Sequence, residues 1–225
     1  MKKKVLAAIV ATALCAIMVG CSGGSDGEPA KDSQKQDAQA ANDEVVLVDS
    51  GWSATNGYIM YGIVLENKSD KTAEFPTVQI TSKDASGAIL SSDDAVLCDI
   101  QPGQKVAFGS QAGNGEAPAS VEFSLIKADF TKNPMNEPCS YQLDGVSDRK
   151  DSYGGVDWVG QITNTSENDA DMVNVSVILY KDGAIVGGYS GYVDALSAGM
   201  TQSFDVMGYD VPEYDAYETY AMTWL

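Results

Sequence analysis

Polar and apolar positions divide the chain into three stretches. From Val5 to Val19 the run is apolar almost without a break, preceded by Lys2, Lys3 and Lys4 and followed by the small residue Gly20. A charged start, an apolar middle and a small residue before a cut predict a secretory signal over residues 1–20. At about 15 residues the run falls short of the roughly 20 that a bilayer-spanning helix needs. Residues 22–44 then carry almost no large apolar side chain. Such a segment cannot bury enough surface to offset its ordering entropy, so residues 21–44 read as a disordered tether. As a flexible coil it would span roughly 25–30 Å. From Val45 onward short apolar runs with strand-type alternation take over, and no helical period is sustained.

Within that third stretch the pattern predicts strands near 45–48, 58–66, 75–81, 95–100, 106–109 and 121–126. Val78 and Ile80 share one face, as do Val121, Phe123 and Leu125. Cys98 alternates with Val96 and Ile100, which predicts an inward side chain for all three. Turns separate the strands at 67–70, at 84–87 and at Gln101-Pro102-Gly103-Gln104, where Pro presets one φ angle and Gly permits a positive one. Short strands at this spacing predict a β-sandwich. Residues 131–140 hold two prolines and little that is apolar besides Met135, which marks a linker between residues 45–130 and 141–225.

The second segment repeats the first. Glu66-Asn67-Lys68-Ser69 returns as Thr163-Asn164-Thr165-Ser166, and Val78 and Ile80 return as Val175 and Val177, an offset of 97. The turn at 84–87 becomes Lys181-Asp182-Gly183, one residue shorter. Ile89, Gly103 and Phe108 then match Ile185, Gly199 and Phe204 at an offset of 96. One deletion in one turn accounts for the whole register, the mark of an internal repeat. The expectation is an all-β chain of two tandem Ig-like β-sandwich domains after a signal peptide and a disordered tether.

Two resemblances attach to these residues. Met18-Val19-Gly20-Cys21 resembles the bacterial lipobox, with Met18 where the pattern prefers Leu. It implies lipidation of Cys21, removal of the leader and a lipid anchor in the cell membrane, on the extracytoplasmic face, with palmitate among the acyl chains. Val175-Ser176-Val177-Ile178-Leu179-Tyr180-Lys181-Asp182-Gly183 followed by Leu196-Ser197-Ala198-Gly199 looks like the FxLYD-type Ig-like domain of bacterial lipoproteins. Val177 stands where the name-giving Phe would be, Lys181 separates Tyr180 from the aspartate, and the first repeat is degenerate at Ile80-Thr81-Ser82-Lys83-Asp84. This resemblance implies the fold and carries no catalytic activity.

Charge narrows the partners. The formal net charge is −18, and it becomes more negative once the three leader lysines leave. A nucleic-acid partner is disfavoured, because phosphate binding needs a basic footprint. Adsorption to anionic headgroups is disfavoured for the same reason. Of four cysteines, Cys15 leaves with the leader and Cys21 carries lipid. Cys98 and Cys139 remain for a disulfide or for two buried thiols outside the cytoplasm.

The chemistry is sparse. The chain has no histidine, which removes Ser-His-Asp and Cys-His catalysis and any His-ligated metal site. Ser147-Asp148-Arg149-Lys150 fits a Ser-x-x-Lys pattern, but it is expected in a polar loop, not at a helix start, and without companion motifs. Calcium could draw on Asp144, Asp148, Asp151 and Asp157, or on Glu167, Asp169 and Asp171. Neither set has EF-hand spacing, so solvated acidic loops are the reading and no metal or cofactor is assigned. The C-terminal segment interleaves Tyr209, Tyr214, Tyr217 and Tyr220 with acids. Tyr220, Met222 and Trp224 are expected on the core face of a last strand. Tyr214 and Tyr217 are expected as exposed contacts for a partner, and the exposed-edge loop Trp52–Tyr58, Trp52 first, as a second contact region. The functional expectation is a noncatalytic binding or scaffold module for a cell-envelope protein or polymer. A carboxylate-dependent envelope enzyme and a structural spacer are the alternatives.

Overall fold

The computed structural model describes residues 44–134, 136–150 and 154–224. The expected leader, Cys21 and most of the expected tether lie outside the described residues, as does Asp151. Among the described residues the regular structure is twelve strands. They are β1 (Val45–Thr55), β2 (Tyr58–Asn67), β3 (Thr72–Lys83), β4 (Ile89–Val96), β5 (Lys105–Ala112) and β6 (Ser120–Thr131) in the first half. The second half holds β7 (Tyr141–Lys150), β8 (Val156–Asn164), β9 (Ala170–Lys181), β10 (Ala184–Leu196), β11 (Thr201–Gly208) and β12 (Ala216–Thr223).

The halves have the same topology. Sheet β1-β2-β5 faces sheet β4-β3-β6, and sheet β11-β8-β7 faces sheet β10-β9-β12, with all pairs antiparallel. No sheet mixes strands of the two halves. The fold is therefore an all-β double sandwich, as the alternation and the repeat predict. Each sandwich has its own core. Ile63, Leu65, Val78 and Ile80 anchor the first, and Trp158, Ile162, Val175 and Val177 anchor the second.

The repeat is physical as well as statistical. Asn67 is fully buried, and its Nδ2 donates to Lys71 O (2.7 Å) and Ile100 O (2.8 Å). Its Oδ1 accepts from Ser69 N (3.0 Å) and Ser69 Oγ (2.8 Å). Asn164, also fully buried, donates to Asn168 O (2.8 Å) and Leu196 O (3.0 Å) and accepts from Ser166 N (3.1 Å) and Ser166 Oγ. The backbone follows suit. Gly103 N donates to Asn67 O, Gly199 N donates to Asn164 O, and both glycines have positive φ. One asparagine per sandwich thus ties the end of the second strand of its half to two connecting segments, and buried polar atoms that are all paired can be held in a core at low cost.

The two sandwiches are stacked through their inner sheets, β1-β2-β5 against β10-β9-β12. On β2, Tyr61, Ile63 and Leu65 point into the first core, while Met60, Gly62 and Val64 point toward the second half. On β9, Val173, Val175 and Val177 point into the second core, while Ile178 meets Val64, Ala107 and Ile185 between the halves. Both strands are buried on both faces: β2 reads as a continuous apolar run from Ile59 to Leu65, whereas β9 alternates its core valines with Asn174 and Ser176, which are buried and hydrogen-bonded to each other at 2.7 Å. Gly51, Gly62 and Gly109 lie side by side across β1, β2 and β5. This row lets the backbone of β10 approach the sheet closely: a Cβ at Gly62 would stand 2.9 Å from Gly187 O, and one at Gly109 would clash with the Gly188 and Tyr189 backbone. Ser190 Oγ closes the contact by donating to Gly109 O (2.9 Å).

Four expectations change. β4 ends at Val96, which is exposed, and 97–100 runs as an irregular buried segment joined to β3 through Ala73 and Ile100. Cys98 is buried there as expected, but Val96 is not its inward partner. Cys98 and Cys139 are both free thiols, so the bridge is not formed; Cys139 belongs to the second core, and its Sγ points at Asn168 O and Asp169 O. Burial pushes the Cys98 thiol up to about 11. Tyr220, Met222 and Trp224 do face inward, but toward the other sandwich. Met222 belongs to the first core, Trp224 stacks on Phe108 at 5.4 Å, and Tyr220 packs between the halves. The 52–58 loop is strand on both sides of a tight Asn56-Gly57 turn with positive φ at both residues.

Asp99 is buried beside Cys98 and accepts from Asn136 Nδ2 (3.2 Å). Burial raises its carboxyl above the usual range, partly offset by the bonds from Asn136. The folded chain then holds this proton more tightly than the unfolded chain. Stability falls as pH rises from the unfolded to the folded value, and the full penalty stands above that window. Asp99→Asn is expected to raise the urea midpoint at about pH 7, with the gain shrinking toward about pH 3.5, below the ordinary carboxylate value. Equal midpoints for both proteins across that range would show that the buried charge costs nothing.

Candidate functional site

At one end of the stack the segment from Tyr209 to Asp215, which links β11 to β12, lies over two cavities. The first, about 360 Å³, takes its walls from both halves: Tyr58 and Met60 of β2, Tyr189 of β10, Met207 of β11, and then Tyr209 and Asp210. The second, about 500 Å³, lies under Val211, Pro212 and Tyr214 and reaches Lys150 and Lys181. A further hollow shares Tyr209 and Asp210 with the first and Val211 and Pro212 with the second, so the three form one groove.

The first cavity has the more unusual chemistry. Tyr58 is 40% exposed, Met207 56% and Tyr209 67%. Three large side chains of this kind around one hollow make an apolar surface rather than the scattered singles of an ordinary exterior. Local structure explains why they face out. On β11, Phe204, Val206 and Gly208 point inward, so the strand period sends Met207 outward, and Tyr209 follows beyond the strand end. Gly208 is fixed by Trp158, against which a Cβ would stand 2.7 Å away. Tyr189 forms the floor. It is buried, stacks on Trp158 at 5.4 Å, and donates its hydroxyl to Tyr209 O (3.1 Å). Burial, and then the nearby Asp210 charge, push that hydroxyl well above the usual tyrosine range. Asp210 itself is exposed, has positive φ, and has no ion-pair or hydrogen-bond partner among the described residues.

The second cavity is internally satisfied. Lys181 pairs with Glu213 at 2.5 Å, and Asp215 accepts from Asp182 N (3.0 Å). Tyr214 donates to Asp148 (2.7 Å), lies 6.0 Å from Trp158, and has the Lys150 ammonium 5.8 Å from its ring centroid. Its hydroxyl is raised by burial first and by Asp148 second.

The expected contact residues are therefore only partly brought together. Tyr214 lines the groove, but half-buried and committed to Asp148. Tyr217 is half-buried against the second core and donates to Val146 O (3.3 Å), so it is not the exposed contact that the sequence suggests. Trp52 itself packs on the first core from β1, while Thr55, Asn56 and Tyr58 of the same 52–58 stretch line the first cavity. Met60, Tyr189 and Met207 are wall residues that the sequence pattern does not single out.

The remaining motifs disperse. Ser147 and Lys150 lie on β7, a strand rather than a loop, and a separation of three puts them on opposite faces. Asp144 and Asp148 are on β7 and Asp157 is on β8, while Asp169 accepts from Ala198 N (2.8 Å). Among the described residues no three acidic or cysteine side chains converge on a cation. No described helix is long and apolar enough to cross a membrane.

No protein-family model matches the chain. A comparison with curated proteins finds none significantly similar. The groove is therefore interpreted from its own geometry.

Proposed function

We propose that the chain is a noncatalytic binding module held at the outer face of the cell membrane by lipid on Cys21, and that the groove over residues 209–215 is its recognition site. The leader pattern supports the anchor, and the resemblance to the FxLYD-type domain agrees with a module that binds rather than reacts. The observation that carries the site is the exposure of Tyr58, Met207 and Tyr209 around one cavity whose walls come from both sandwiches. Concave, largely apolar surfaces with a few polar groups are where ligands bind, and tyrosine gives contact area at low entropic cost. A cavity built across two docked domains also gives the tandem arrangement a purpose that one sandwich could not serve.

The test is capture of envelope components by the full lipidated chain from native membranes in mild detergent, beside the Met207→Ala/Tyr209→Ala double variant. Both positions are exposed, so folding is expected to be unchanged. A stoichiometric partner of the parent protein should fall at least about tenfold in the variant, the loss that two contact residues of ordinary strength produce. Equal capture by both proteins would move the recognition site elsewhere. No stoichiometric partner at all would favour a structural spacer.

A further inference from the structure

The first cavity has a chemistry that the second lacks. Its walls carry three tyrosine rings, Tyr58, Tyr189 and Tyr209, two thioethers, Met60 and Met207, and three neutral polar residues, Thr55, Asn56 and Gln111. One carboxylate, Asp210, stands at the rim without a partner among the described residues. No lysine or arginine is among its lining residues. In the neighbouring cavity Lys181 and Lys150 already occupy the corresponding roles: one neutralises Glu213 and the other lies over the Tyr214 ring. The molecule thus shows, a few residues along the same segment, how it places a cation against tyrosine and acid. In the first cavity no such cation stands among the described residues.

We infer that this cavity takes an organic cation, and specifically a quaternary ammonium group, from the ligand that the groove binds. Ring faces attract cations through their quadrupole, and the attraction grows as water is excluded. Walls in which methionine and tyrosine outnumber the neutral Thr55, Asn56 and Gln111 disfavour a strongly hydrated primary ammonium, because stripping its water is costly. A trimethylammonium group sheds its water readily and fills an apolar hollow while keeping its charge. Asp210 supplies the counter-charge from the rim, and the formal charge of −18 raises the local concentration of any cation. Tyr189 provides a fixed floor, since Trp158 and the Tyr209 carbonyl hold its ring and hydroxyl.

The inference deepens the binding-module reading and rests on it. The experiment is an NMR titration of the soluble chain from residue 22 onward with choline, beside 3,3-dimethylbutanol, which has the same shape without the charge. The expected result is saturable shifts at Tyr58, Tyr209 and Asp210 with choline, and binding about tenfold weaker with the neutral analogue. Asp210→Asn and Tyr209→Ala should each weaken choline by about tenfold, and Tyr214→Phe in the second cavity should leave it unchanged. Equal affinity for choline and the neutral analogue would overturn the cation inference and leave the groove as an apolar site. Tighter binding of an arginine amide than of choline would overturn the quaternary assignment in favour of a guanidinium. Absence of saturable binding by every probe would overturn the inference, while the membrane-capture experiment would still decide the groove.

Discussion

Valine in place of Gly109 drives the two sandwiches apart. Gly109 lies in the glycine row of β1, β2 and β5, and even one added carbon there would run into the Gly188 carbonyl carbon and the Tyr189 nitrogen. Those are backbone atoms of a strand paired along its length to β9, so they cannot turn aside as a flexible side chain could. Overpacking of a closed interior costs about 1–3 kcal/mol, and a clash between two sheet backbones belongs at or above the top of that range. The cheaper escape is to undock, since each sandwich keeps most of its own core and its own buried asparagine, giving up only the crossing contacts of Met60, Met222 and Trp224. Gly109→Val is therefore expected to stay folded as two sandwiches, with two thermal transitions where the parent has one and a larger radius in small-angle X-ray scattering. Gly187→Ala is the graded control. It lies on the same interface, yet its Cβ would find Pro212 Cγ at 3.5 Å and Met60 Cβ at 3.7 Å, ordinary contacts, so the docked form should survive. A parent-like radius for Gly109→Val would show that the close approach of the sheets is not what joins them.

Asn164→Ala is expected to cost about 3 kcal/mol or more, lowering the melting temperature by roughly 6–12 °C in a chain of this size. The substitution removes four hydrogen bonds and leaves the Leu196 carbonyl buried without its partner. An unsatisfied buried group costs its full desolvation rather than the modest net value of a bond. Asn164→Asp separates this from cavity formation. It conserves volume but turns an acceptor oxygen toward the Asn168 and Leu196 carbonyls, and should be at least as harmful at neutral pH. Asn67→Ala should match Asn164→Ala, because its four bonds are the same. A loss under about 0.5 kcal/mol, measured by urea unfolding, would contradict the role given to the buried asparagine.

Much of this architecture is written locally in the chain. The alternation at Val121, Phe123 and Leu125, the turn at 101–104 and the repeated asparagines each declare themselves over a few residues, and the structure uses them as their chemistry requires. The docking of the halves is not local. Gly51, Gly62 and Gly109 are far apart in sequence and become a row only through strand register. The same holds for the groove, whose walls come from β2, β10 and β11. One signal was present: Met207 and Tyr209 are large side chains on the outward phase around a strand whose inward phase is Phe204 and Val206. Tyr217 and Trp52 misled for the opposite reason. Each is an aromatic residue in a polar neighbourhood, but a tyrosine or tryptophan can bury its ring and still reach a polar partner, as Tyr217 does at Val146 O. The end of β12 crosses to the first core through Met222 and Trp224, and no sequence period can say which of two neighbouring cores an inward face will meet.

The first cavity has all its walls only while the two sandwiches form one rigid body. Residual dipolar couplings measured on the weakly aligned soluble chain test this directly. Couplings from residues 45–131 and from residues 141–223 should fit one alignment tensor of the same magnitude and orientation. Two tensors, with the second half reporting a weaker or differently oriented alignment, would mean that the sandwiches move independently, and the composite groove would not exist as a standing site.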